Sequence, residues 1–383
     1  MTTSDAFGVY VHWPYCARIC PYCDFNVYKQ KSIDDAQWID ALTREIAHWA
    51  KFYSGRRLTS LYFGGGTPSL APVSVLSAVI KACSDHWAFD DDIEITLEAN
   101  PVDASRALFE GLRAIGINRL SLGVQSFQDD ALAFLGRDHN GDQGRKALEN
   151  AQKVFERVTF DLIYALPDQS LVQWEAALKE ALQFGPTHLS LYELTIEPGT
   201  AFAQACAAGR WAPPDEDIRA DLFDVTQDLT RNAGLHAYEV SNHARPGFES
   251  KHNQLYWRYG DYIGIGPGAH GRVCIDDHKH AVENHKRPDA YLDAIGVHGH
   301  GAHLKHRLTT EEMLMERFSM GLRLAEGIPL YADDPFYADD RRVDALRQLI
   351  GDGLLTDNCG TLRASPTGRP ILNALLEAIF TAS

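Results

Sequence analysis

The first half of the chain alternates short runs of β-branched and aromatic residues with longer segments in which apolar residues recur every three or four positions. The short runs are typical of buried strands, and the longer period places an apolar stripe along a helix. In the segment 34–53, for example, Trp38, Leu42 and Ile46 fall on one helical face. The predicted strands are 9–13, 58–63, 93–97, 119–124, 158–165 and 188–194. The predicted helices are 34–53, 72–87, 103–116, 143–155 and 171–184.

This succession of strand–helix units indicates a parallel sheet whose faces are covered by helices. We therefore predict an α/β fold built on a partial (β/α)6 barrel of the TIM type. Local signals set some boundaries: Pro72 suits the first turn of its helix, and Asp103 and Gly116 are typical of a helix start and a helix stop. Polar and glycine-rich turns follow the predicted strands, where such barrels place their chemistry.

The second half of the chain is less regular. A helix at 215–233 and a strand at 235–240 are expected to extend the barrel, whereas 252–306 is rich in glycine and histidine and has few periodic segments. Near the C-terminus, helices at 339–350 and 368–380 flank two short strand-like segments, an order that predicts a winged-helix-like α+β domain. Its near-balanced charge favours packing or partner contact over DNA binding. The predicted domains are 1–235 for the barrel, 236–308 for an irregular extension and 309–383 for the C-terminal domain.

Composition and charge exclude several classes of protein. The 383 residues are 45% apolar and 23% charged, as in ordinary globular domains, which excludes a disordered chain, a fibre and a small disulfide scaffold. The net charge of −16 repels phosphate backbones, so nucleic acid is not an expected partner. No run approaches the roughly 20 apolar residues of a membrane span, and residues 1–5 lack the features of a secretory signal. We expect a cytoplasmic protein with reduced thiols; peripheral membrane contact and the oligomeric state stay open.

Three of the seven cysteines, Cys16, Cys20 and Cys23, lie close together in the chain. Thiolates are soft ligands suited to zinc or to iron–sulfur clusters. A structural zinc site needs four ligands, and the nearest histidines, His12 and His48, complete no usual spacing. A 4Fe–4S cluster normally takes four cysteines, so three leave one iron open to a small molecule. The spacing alone leaves a cluster, a zinc site and coincidence as alternatives. The other cysteines are expected to be small buried hydrophobes: Cys83, Cys206, Cys274 and Cys359.

The triplet and the residues 10–15 before it resemble the radical S-adenosylmethionine (SAM) superfamily. The similarity is to the branch that contains oxygen-independent coproporphyrinogen III dehydrogenase and the heme chaperone HemW, and it extends from Val9 to about Ile371. It implies a partial barrel of the radical SAM type, in which Cys16, Cys20 and Cys23 hold a 4Fe–4S cluster whose open iron binds S-adenosyl-L-methionine. Further matching segments are 64–68, 120–127, 136–139, 160–164, 197–200 and 238–242.

The resemblance also assigns residues to the cofactor. The glycine-rich turn after the second predicted strand would let the backbone approach the methionine moiety, although by itself such a run is equally a tight turn. Polar residues near the ends of later strands match the family's nucleoside-binding positions, although each alone is more often a surface or capping residue. Two tyrosines are placed near the cluster, where core packing is an equal alternative. The residues implied to bind the cofactor are Tyr10, Tyr22, Gly64, Gly65, Gly66, Thr67, Glu98, Gln125, Arg137 and Asp161.

Two features separate the branches of this family. The dehydrogenase branch has a further cysteine two residues after the triplet, whereas Cys23 is followed here by Asp24 and Phe25, as in the heme chaperone branch. That branch also has a His-Asn-X-X-Tyr-Trp motif, which matches residues 252–257. An imidazole can ligate haem iron and the aromatic rings can stack on the macrocycle; packing roles for the histidine and the tryptophan are the alternative. The residues predicted to bind haem are His252, Asn253, Tyr256 and Trp257.

Other histidines and glycines of the second half allow two interpretations. His298, His300, His303 and His306 form a small cluster with glycines among them, for which metal or haem contact and a solvated loop are the alternatives. The segment 264–270 is similar to the family's glycine-rich segment, and no regular strand–helix unit frames it as a dinucleotide site.

Together these observations predict a heme chaperone that carries a 4Fe–4S cluster and SAM, binds haem and delivers it to client haem proteins. An unidentified electron donor is a further expected partner. One alternative is oxygen-independent coproporphyrinogen III dehydrogenase, against which the missing cysteine and the additional motif argue. Another is a zinc-stabilised α/β protein without radical chemistry. Whether SAM is cleaved in turnover is left open, and no catalytic residue is assigned.

Overall fold

A computed structural model describes residues 6–29 and 32–381 of the chain. Residues 1–5, on which the expectation of a chain without a secretory signal rests, lie outside the described residues. The strands are β1 (Ala6–Trp13), β2 (Tyr15–Cys16), β3 (Tyr28–Lys29), β4 (Arg57–Gly65), β5 (Ala88–Ala99), β6 (Arg119–Gln125), β7 (Arg157–Tyr164), β8 (His188–Glu193), β9 (His236–Ala237), β10 (Asn242–Ala244), β11 (Asp261–Ile265), β12 (His270–Ile275), β13 (His278–Asn284), β14 (Ala302–Arg307), β15 (Ile328–Pro329), β16 (Leu355–Asp357) and β17 (Thr361–Ala364).

Helices follow most of the central strands. They are α1 (Asp35–Ala50), α2 (Val73–His86), α3 (Arg106–Ala114), α4 (Asp129–Phe134), α5 (Gly141–Gln152), α6 (Leu171–Gln183), α7 (Ala201–Ala207), α8 (Glu216–Asn232), α9 (Lys251–Trp257), α10 (Pro288–His298), α11 (Thr310–Gly321), α12 (Asp340–Gly351) and α13 (Leu372–Phe380). Short 3-10 turns lie at Pro68–Leu70, Pro101–Asp103, Pro335–Ala338 and Arg369–Ile371.

The main sheet has twelve strands in the order β14-β13-β12-β11-β1-β4-β5-β6-β7-β8-β10-β9. The seven central strands, from β11 to β8, pair in parallel, and the strands on both flanks pair antiparallel. The predicted α/β fold with a partial barrel is confirmed. All six predicted parallel strands are present, and β11 adds a seventh beside β1.

The helix α1 illustrates how the sequence builds the outer layer. The side chain of Asp34 accepts the backbone N–H of Gln37 and so caps the first turn, as N-cap aspartates commonly do. Trp38, Leu42 and Ile46 point inward from the predicted face and are fully or almost fully buried. The same large core also contains the inward residues of β1, β4 and α2, which holds the helices against the sheet.

One predicted helix start is wrong. Asp103 does not cap α3; it lies in the preceding 3-10 turn, and the side chain of Ser105 accepts the backbone N–H of Leu108 instead. Pro101 opens that turn, and the chain then needs two further residues before regular helix begins. The prediction could not distinguish Asp103 from Ser105 because both residue types are common N-caps.

The segment 252–306 is more regular than the sequence indicated, since it contains α9, β11, β12, β13, α10 and most of β14. The segment 235–240 forms only the two-residue edge strand β9, which pairs antiparallel to β10, rather than a further parallel strand of the barrel. Strands β12, β13 and β14 are rich in histidine and charged residues, so they lack the apolar runs that identified the central strands. The predicted domain boundaries at 235 and 308 stay a prediction.

The C-terminal segment packs around a second apolar core formed by residues of α11, α12, α13 and the small sheet β15-β17-β16. Helix, hairpin and helix follow in the predicted order, with β15 as a third strand. Among the described residues, none of the helices combines the length and the apolar character needed to cross a bilayer.

A buried carboxylate joins α1 to the flank of the sheet beside β11. Glu45 accepts hydrogen bonds from the backbone N–H groups of Gly266 (3.0 Å) and Gly301 (2.8 Å), from Asn284 Nδ2 (3.0 Å) and from the hydroxyl of Tyr291 (2.6 Å). Burial raises the pKa of Glu45 to about 7, although these hydrogen bonds oppose the shift. Four donors from distant parts of the chain thus converge on one side chain and hold the glycine-rich segment 264–270 in place.

Because the pKa of Glu45 lies above its ordinary value of 4.5, its ionisation opposes folding. Below pH 4.5 both states are protonated; as the pH rises towards 7 the unfolded chain loses its proton first, so stability falls across that interval. We expect the free energy of unfolding of the wild type, relative to Glu45→Gln, to fall by about 3 kcal/mol between pH 5 and pH 8. Urea unfolding at several pH values measures it. The exposed Glu149→Gln serves as the control, and a pH-independent difference for Glu45→Gln would contradict the prediction.

Candidate functional site

The carboxyl ends of β4 to β8, together with the segment that follows β1, enclose a cavity of about 360 Å³. Carboxyl ends of parallel strands are where barrels of this type bring polar side chains together. The cavity collects most of the sequence-predicted cluster and cofactor residues, and we call it the cluster cavity. Those residues are Cys16, Cys20, Tyr22, Cys23, Gly65, Gly66, Thr67, Glu98, Gln125, Arg137 and Asp161.

The three cysteines lie on the segment that folds over the mouth of the barrel. Cys16 is in β2, which pairs with β3 and so bends the chain back, and the N–H of Cys23 donates to the carbonyl of Cys20 in a tight turn (3.2 Å). Cys16 is buried and the other two are half-buried. In the part of the chain that the structure describes, no three His, Cys, Asp or Glu side chains are grouped as a site for one metal ion.

Arg137 provides positive charge beside the thiols. One terminal nitrogen, Nη1, lies 3.3 Å from Cys20 Sγ and 3.5 Å from the hydroxyl oxygen of Tyr22, and Nη2 donates to Asn100 Oδ1 (2.7 Å) and to the carbonyl of Gly123 (2.9 Å). A planar guanidinium is suited to such a fixed set of partners. The side chain is thereby locked across the cavity between the cysteine segment and the ends of β5 and β6.

The donor set fits an iron–sulfur cluster. Burial raises the pKa of the Cys23 thiol to about 11, so a free thiolate is disfavoured there, and binding to metal is what would hold the sulfur deprotonated. Thiolates are the usual ligands of such clusters, and the Arg137 guanidinium lies where it can balance their negative charge. Cys16, Cys20 and Cys23 therefore suit a cluster at the edge of a cavity with room beside it.

The chain needs glycine at the end of β4 because it passes close to β1 and β2 there. Gly65 has a φ of +102°, and an added Cβ there would lie 2.5 Å from the ring of His12. At Gly66 it would lie 2.6 Å from the carbonyl oxygen of Tyr15. Gly65, Gly66 and Thr67 line the cluster cavity, whereas Gly64 lies outside its lining. A tight turn at Gly65 and Gly66 is therefore compatible with a role of the same residues in binding the cofactor.

Two half-buried carboxyl groups, those of Glu98 and Asp161, line the cavity from β5 and β7. Burial raises the pKa of Glu98 to about 7 and that of Asp161 to about 6. The hydroxyl of Tyr62 donates to Glu98 Oε1 (2.8 Å), and Ser190 hydrogen bonds to Asp161. Gln125, at the end of β6, has a positive φ of 64° and a buried Oε1 with no hydrogen-bond partner among the described residues. These groups offer acceptors for the hydroxyl and amino groups of a nucleoside or an amino acid.

Sequence reasoning missed Asn100, which links two predicted site residues. Its Oδ1 accepts from Arg137, and its Nδ2 lies 3.3 Å from Thr67 Oγ1. The signal in the sequence that could have identified Asn100 was its polar side chain directly after β5 and before Pro101. Ser121, Tyr192, Glu193, Thr195 and Glu197 also line the cavity, and nothing in their local sequence distinguishes them from ordinary strand and loop residues.

The predicted haem residues lie elsewhere. Tyr10, His252, Asn253 and Tyr256 line a second cavity of about 630 Å³, which shares Asp24, Phe25 and Glu98 with the cluster cavity. Trp257 is not among its lining residues and packs under the guanidinium of Arg323, 4.6 Å from the ring centroid. The structure thus brings together three of the four predicted haem residues, and it separates Tyr10 from Tyr22.

His252 lies inside the barrel. Its Nδ1 is 2.9 Å from Ser60 Oγ, its ring stacks on Tyr62 with centroids 4.9 Å apart, and only 2% of the residue is exposed. Burial lowers its pKa to about 3, so the imidazole is neutral, and its Nε2 is buried without a hydrogen-bond partner among the described residues. The histidines 298, 300, 303 and 306 are not lining residues of either cavity. The ring centroid of His300 lies 4.5 Å from that of His48 and 5.9 Å from that of His298, and His303 is close enough to His270 to lower the pKa of its imidazole.

An open parallel barrel with three cysteines over its mouth is the architecture of cluster-bearing SAM proteins, and the sequence comparisons agree. The model of the radical SAM superfamily matches residues 10–181, and that of the HemN C-terminal domain matches residues 308–371. Heme chaperone HemW of Haemophilus influenzae is 35% identical over 98% of each chain. The chain therefore belongs to the radical SAM superfamily and, within it, to the family of the HemW proteins.

Other relatives extend the comparison. Radical S-adenosyl methionine domain-containing protein 1, mitochondrial, of Bos taurus is 38% identical over 85% of this chain and 75% of that protein. Coproporphyrinogen III oxidase (HemN) of Escherichia coli, described as a radical SAM enzyme, superposes with a TM-score of 0.81 at 24% identity over 99% of this chain and 91% of its own. That likeness shows the fold. The superfamily implies a 4Fe–4S cluster and SAM as cofactors.

Proposed function

We propose that this protein is a cytoplasmic heme chaperone: it carries a 4Fe–4S cluster with SAM, binds haem and delivers it to client haem proteins. The observation that carries the proposal is the cluster cavity, in which Cys16, Cys20 and Cys23 meet Arg137 at the mouth of the barrel. The name of the Haemophilus influenzae relative supports the haem part.

The cavity residues suit the proposed cofactors in distinct ways. Cys16, Cys20 and Cys23 would ligate the cluster, which supplies an electron to the sulfonium when it is bound and reduced. Arg137 lies where it can hold negative charge beside Cys20. Glu98 and Asp161 present carboxyl groups with raised pKa values, suited to hydrogen bonding with hydroxyl and ammonium groups. The glycines at the end of β4 have no side chains and therefore leave the backbone accessible to a ligand.

Oxidative decarboxylation of coproporphyrinogen III is the alternative. The structural likeness to the Escherichia coli oxidase shows the fold alone, because the identity is 24%. At the position after the triplet, where the resemblance implies a further cysteine in the dehydrogenase, Asp24 and Phe25 border both cavities. The site therefore lacks a feature that the alternative would lead us to expect.

Haem titration of cluster-reconstituted protein tests the proposal. We expect a saturable change of the haem absorption spectrum, because an imidazole ligand shifts the electronic structure of the iron. Iron-free protoporphyrin IX is the control, since it reports stacking without ligation and should bind more weakly. The same preparation, with reductant and SAM under anaerobic conditions, should form no protoporphyrinogen from coproporphyrinogen III. Absence of saturable haem binding, or formation of that product, would overturn the proposal.

A further inference from the structure

The second cavity has the chemistry of a site for a flat, apolar, anionic macrocycle. We call it the tyrosine cleft and define it by Tyr10, Tyr62, Tyr256, Tyr262, His270 and Lys286. It adjoins the cluster cavity along Asp24 and Phe25. Its volume of about 630 Å³ lies within the roughly 300–1,000 Å³ of ordinary ligand sites, which is enough for a large ligand that stays partly open to solvent.

Aromatic rings form much of its wall. Tyr10 and Tyr62 lie nearly parallel, with centroids 6.2 Å apart, and the rings of Tyr256 and Tyr262 are 4.2 Å apart. Phe25 stands at the rim with 63% of its surface exposed. Aromatic faces and edges pack well against other flat π systems, so these rings suit a flat macrocycle.

The cleft contains three imidazoles, and two are unsuited to an incoming iron. His12 has both ring nitrogens engaged, Nδ1 with the hydroxyl of Tyr10 (3.1 Å) and Nε2 with the carbonyl of Asn26 (2.9 Å). His252 is held by Ser60 through Nδ1, and its Nε2 is buried among stacked rings. A ligand that enters from solvent therefore cannot reach either ring without repacking of the barrel interior.

His270 is different. Its side chain is 49% exposed, and its Nδ1 lies 3.9 Å from Glu283 Oε1, an orientation that leaves Nε2 without a hydrogen-bond partner among the described residues. Burial lowers its pKa, which favours the neutral imidazole that binds metal. A carboxylate beside one ring nitrogen is the usual means of orienting the other nitrogen for ligation.

The backbone fixes His270 in place. It begins β12, where it pairs with Glu283 of β13. The glycine-rich segment before it is tied at Gly266 to the buried Glu45 (3.0 Å) and at Pro267 to Asn26 Nδ2 (3.0 Å). An imidazole on a strand start with such support is placed more rigidly than one on a free loop.

Lys286 supplies a positive charge that suits the negatively charged propionates of haem. Lys286 is a lining residue of the cleft, and its ammonium group lies close enough to act on His270 electrostatically. Its carbonyl accepts hydrogen bonds from Asn26 Nδ2 (2.8 Å) and from the hydroxyl of Tyr28 (3.2 Å), so the backbone at this position is anchored. In a chain of net charge −16, a lysine at the rim is a specific attraction for a carboxylate.

We propose that haem binds in the tyrosine cleft, with His270 Nε2 as the axial ligand of the iron and Lys286 paired with a propionate. The inference rests on the proposed haem-binding function and names its site. It assigns the axial ligand to His270, in the glycine-rich segment, rather than to His252 of the motif that the sequence singled out. His252 then acts as part of the aromatic wall.

Haem titration of full-length, cluster-reconstituted variants tests the assignment. We expect His270→Ala to bind haem at least about tenfold more weakly, since an outer partner of a metal ligand already contributes 10- to 100-fold, and added imidazole to restore a wild-type absorption spectrum. His278→Ala, an exposed histidine of β13 outside the cleft, is the matched control. His252→Gln, which changes the aromatic wall but not the proposed ligand, should weaken binding less than His270→Ala does. Lys286→Ala should weaken binding of haem more than binding of haem dimethyl ester, which lacks the propionate charges.

The outcomes separate the two proposals. If the wild type shows no saturable haem binding, the proposed function fails. If the wild type binds haem and His270→Ala binds equally well, the function stands and the assignment is overturned; loss of binding in His252→Gln alone would return the axial ligand to the motif. Should His270→Ala be unstable, His270→Gln keeps the polar side chain, and the comparison of haem with its dimethyl ester in Lys286→Ala still tests the location.

Discussion

Replacement of Cys20 by serine is expected to remove the iron–sulfur cluster. Cys20 lies between the other two thiols in the chain and contacts Arg137 (3.3 Å). A hard hydroxyl is a poor substitute for a thiolate at iron. After anaerobic reconstitution we expect iron and inorganic sulfide to fall at least about tenfold, because loss of a direct ligand costs more than loss of an outer partner, about 10- to 100-fold. Iron and sulfide analysis with an absorption spectrum measures the effect.

Cys359→Ser provides the matched control, because Cys359 is exposed and lies in the turn between β16 and β17. It should load iron and sulfide as the wild type does, and both variants should keep the wild-type melting temperature before reconstitution. A wild type that takes up zinc and contains no sulfide would favour the zinc alternative. Full loading of Cys20→Ser would remove this residue from the ligand set.

Replacement of Arg137 by methionine is expected to have the second-largest effect. The change leaves Asn100 Oδ1 and the carbonyl of Gly123 without their donor, and buried groups without partners cost about 1–3 kcal/mol each. We therefore expect the free energy of unfolding to fall by about 2–4 kcal/mol. Binding of SAM to the cluster-loaded protein should weaken as well. Urea unfolding and calorimetric titration with SAM measure the two effects.

Two further variants separate charge from geometry at Arg137. Arg137→Lys keeps the positive charge but not the planar fork, so its SAM affinity should lie between those of the wild type and Arg137→Met. Arg113→Met alters an exposed arginine at the end of α3 and should leave both measurements unchanged. If Arg137→Met unfolds like the wild type, the network around Asn100 does not contribute to stability as argued.

Much of the central barrel was predictable because its signals are local. The alternation of strands and helices from 9 to 194 appears in the sequence as two apolar periods, and each predicted parallel strand is present within a few residues of its expected bounds. Wrong details arose where two neighbouring residues carry the same signal, as with Asp103 and Ser105. The flank β11 to β14 escaped detection because β12, β13 and β14 contain many histidine and charged residues and so show no clear apolar pattern.

The candidate site was predictable in part. The cysteines, the glycine-rich turn and four polar residues were recognised from motifs, and the structure places nearly all of them around one cavity. Asn100 was missed because a polar residue after a strand is common. The tyrosine cleft was missed because it joins Tyr10 and Tyr62 to Tyr262 and His270, which are some 200 positions apart in the chain.

By itself, the sequence of this protein determined the order of its elements, its cysteine triplet and the family to which it belongs. All three reside in local periodicity and spacing, which need no knowledge of distant contacts. The tertiary structure decided which side chains meet: that β11 pairs with β1, and that Glu45 holds the glycine-rich segment from 221 positions away. It also decided that His252 Nε2 is buried, whereas the side chain of His270, at the same cleft, is half-exposed. Such contacts depend on the order in which the strands pair and on how the sheet closes. Neither can be read from local residue preferences.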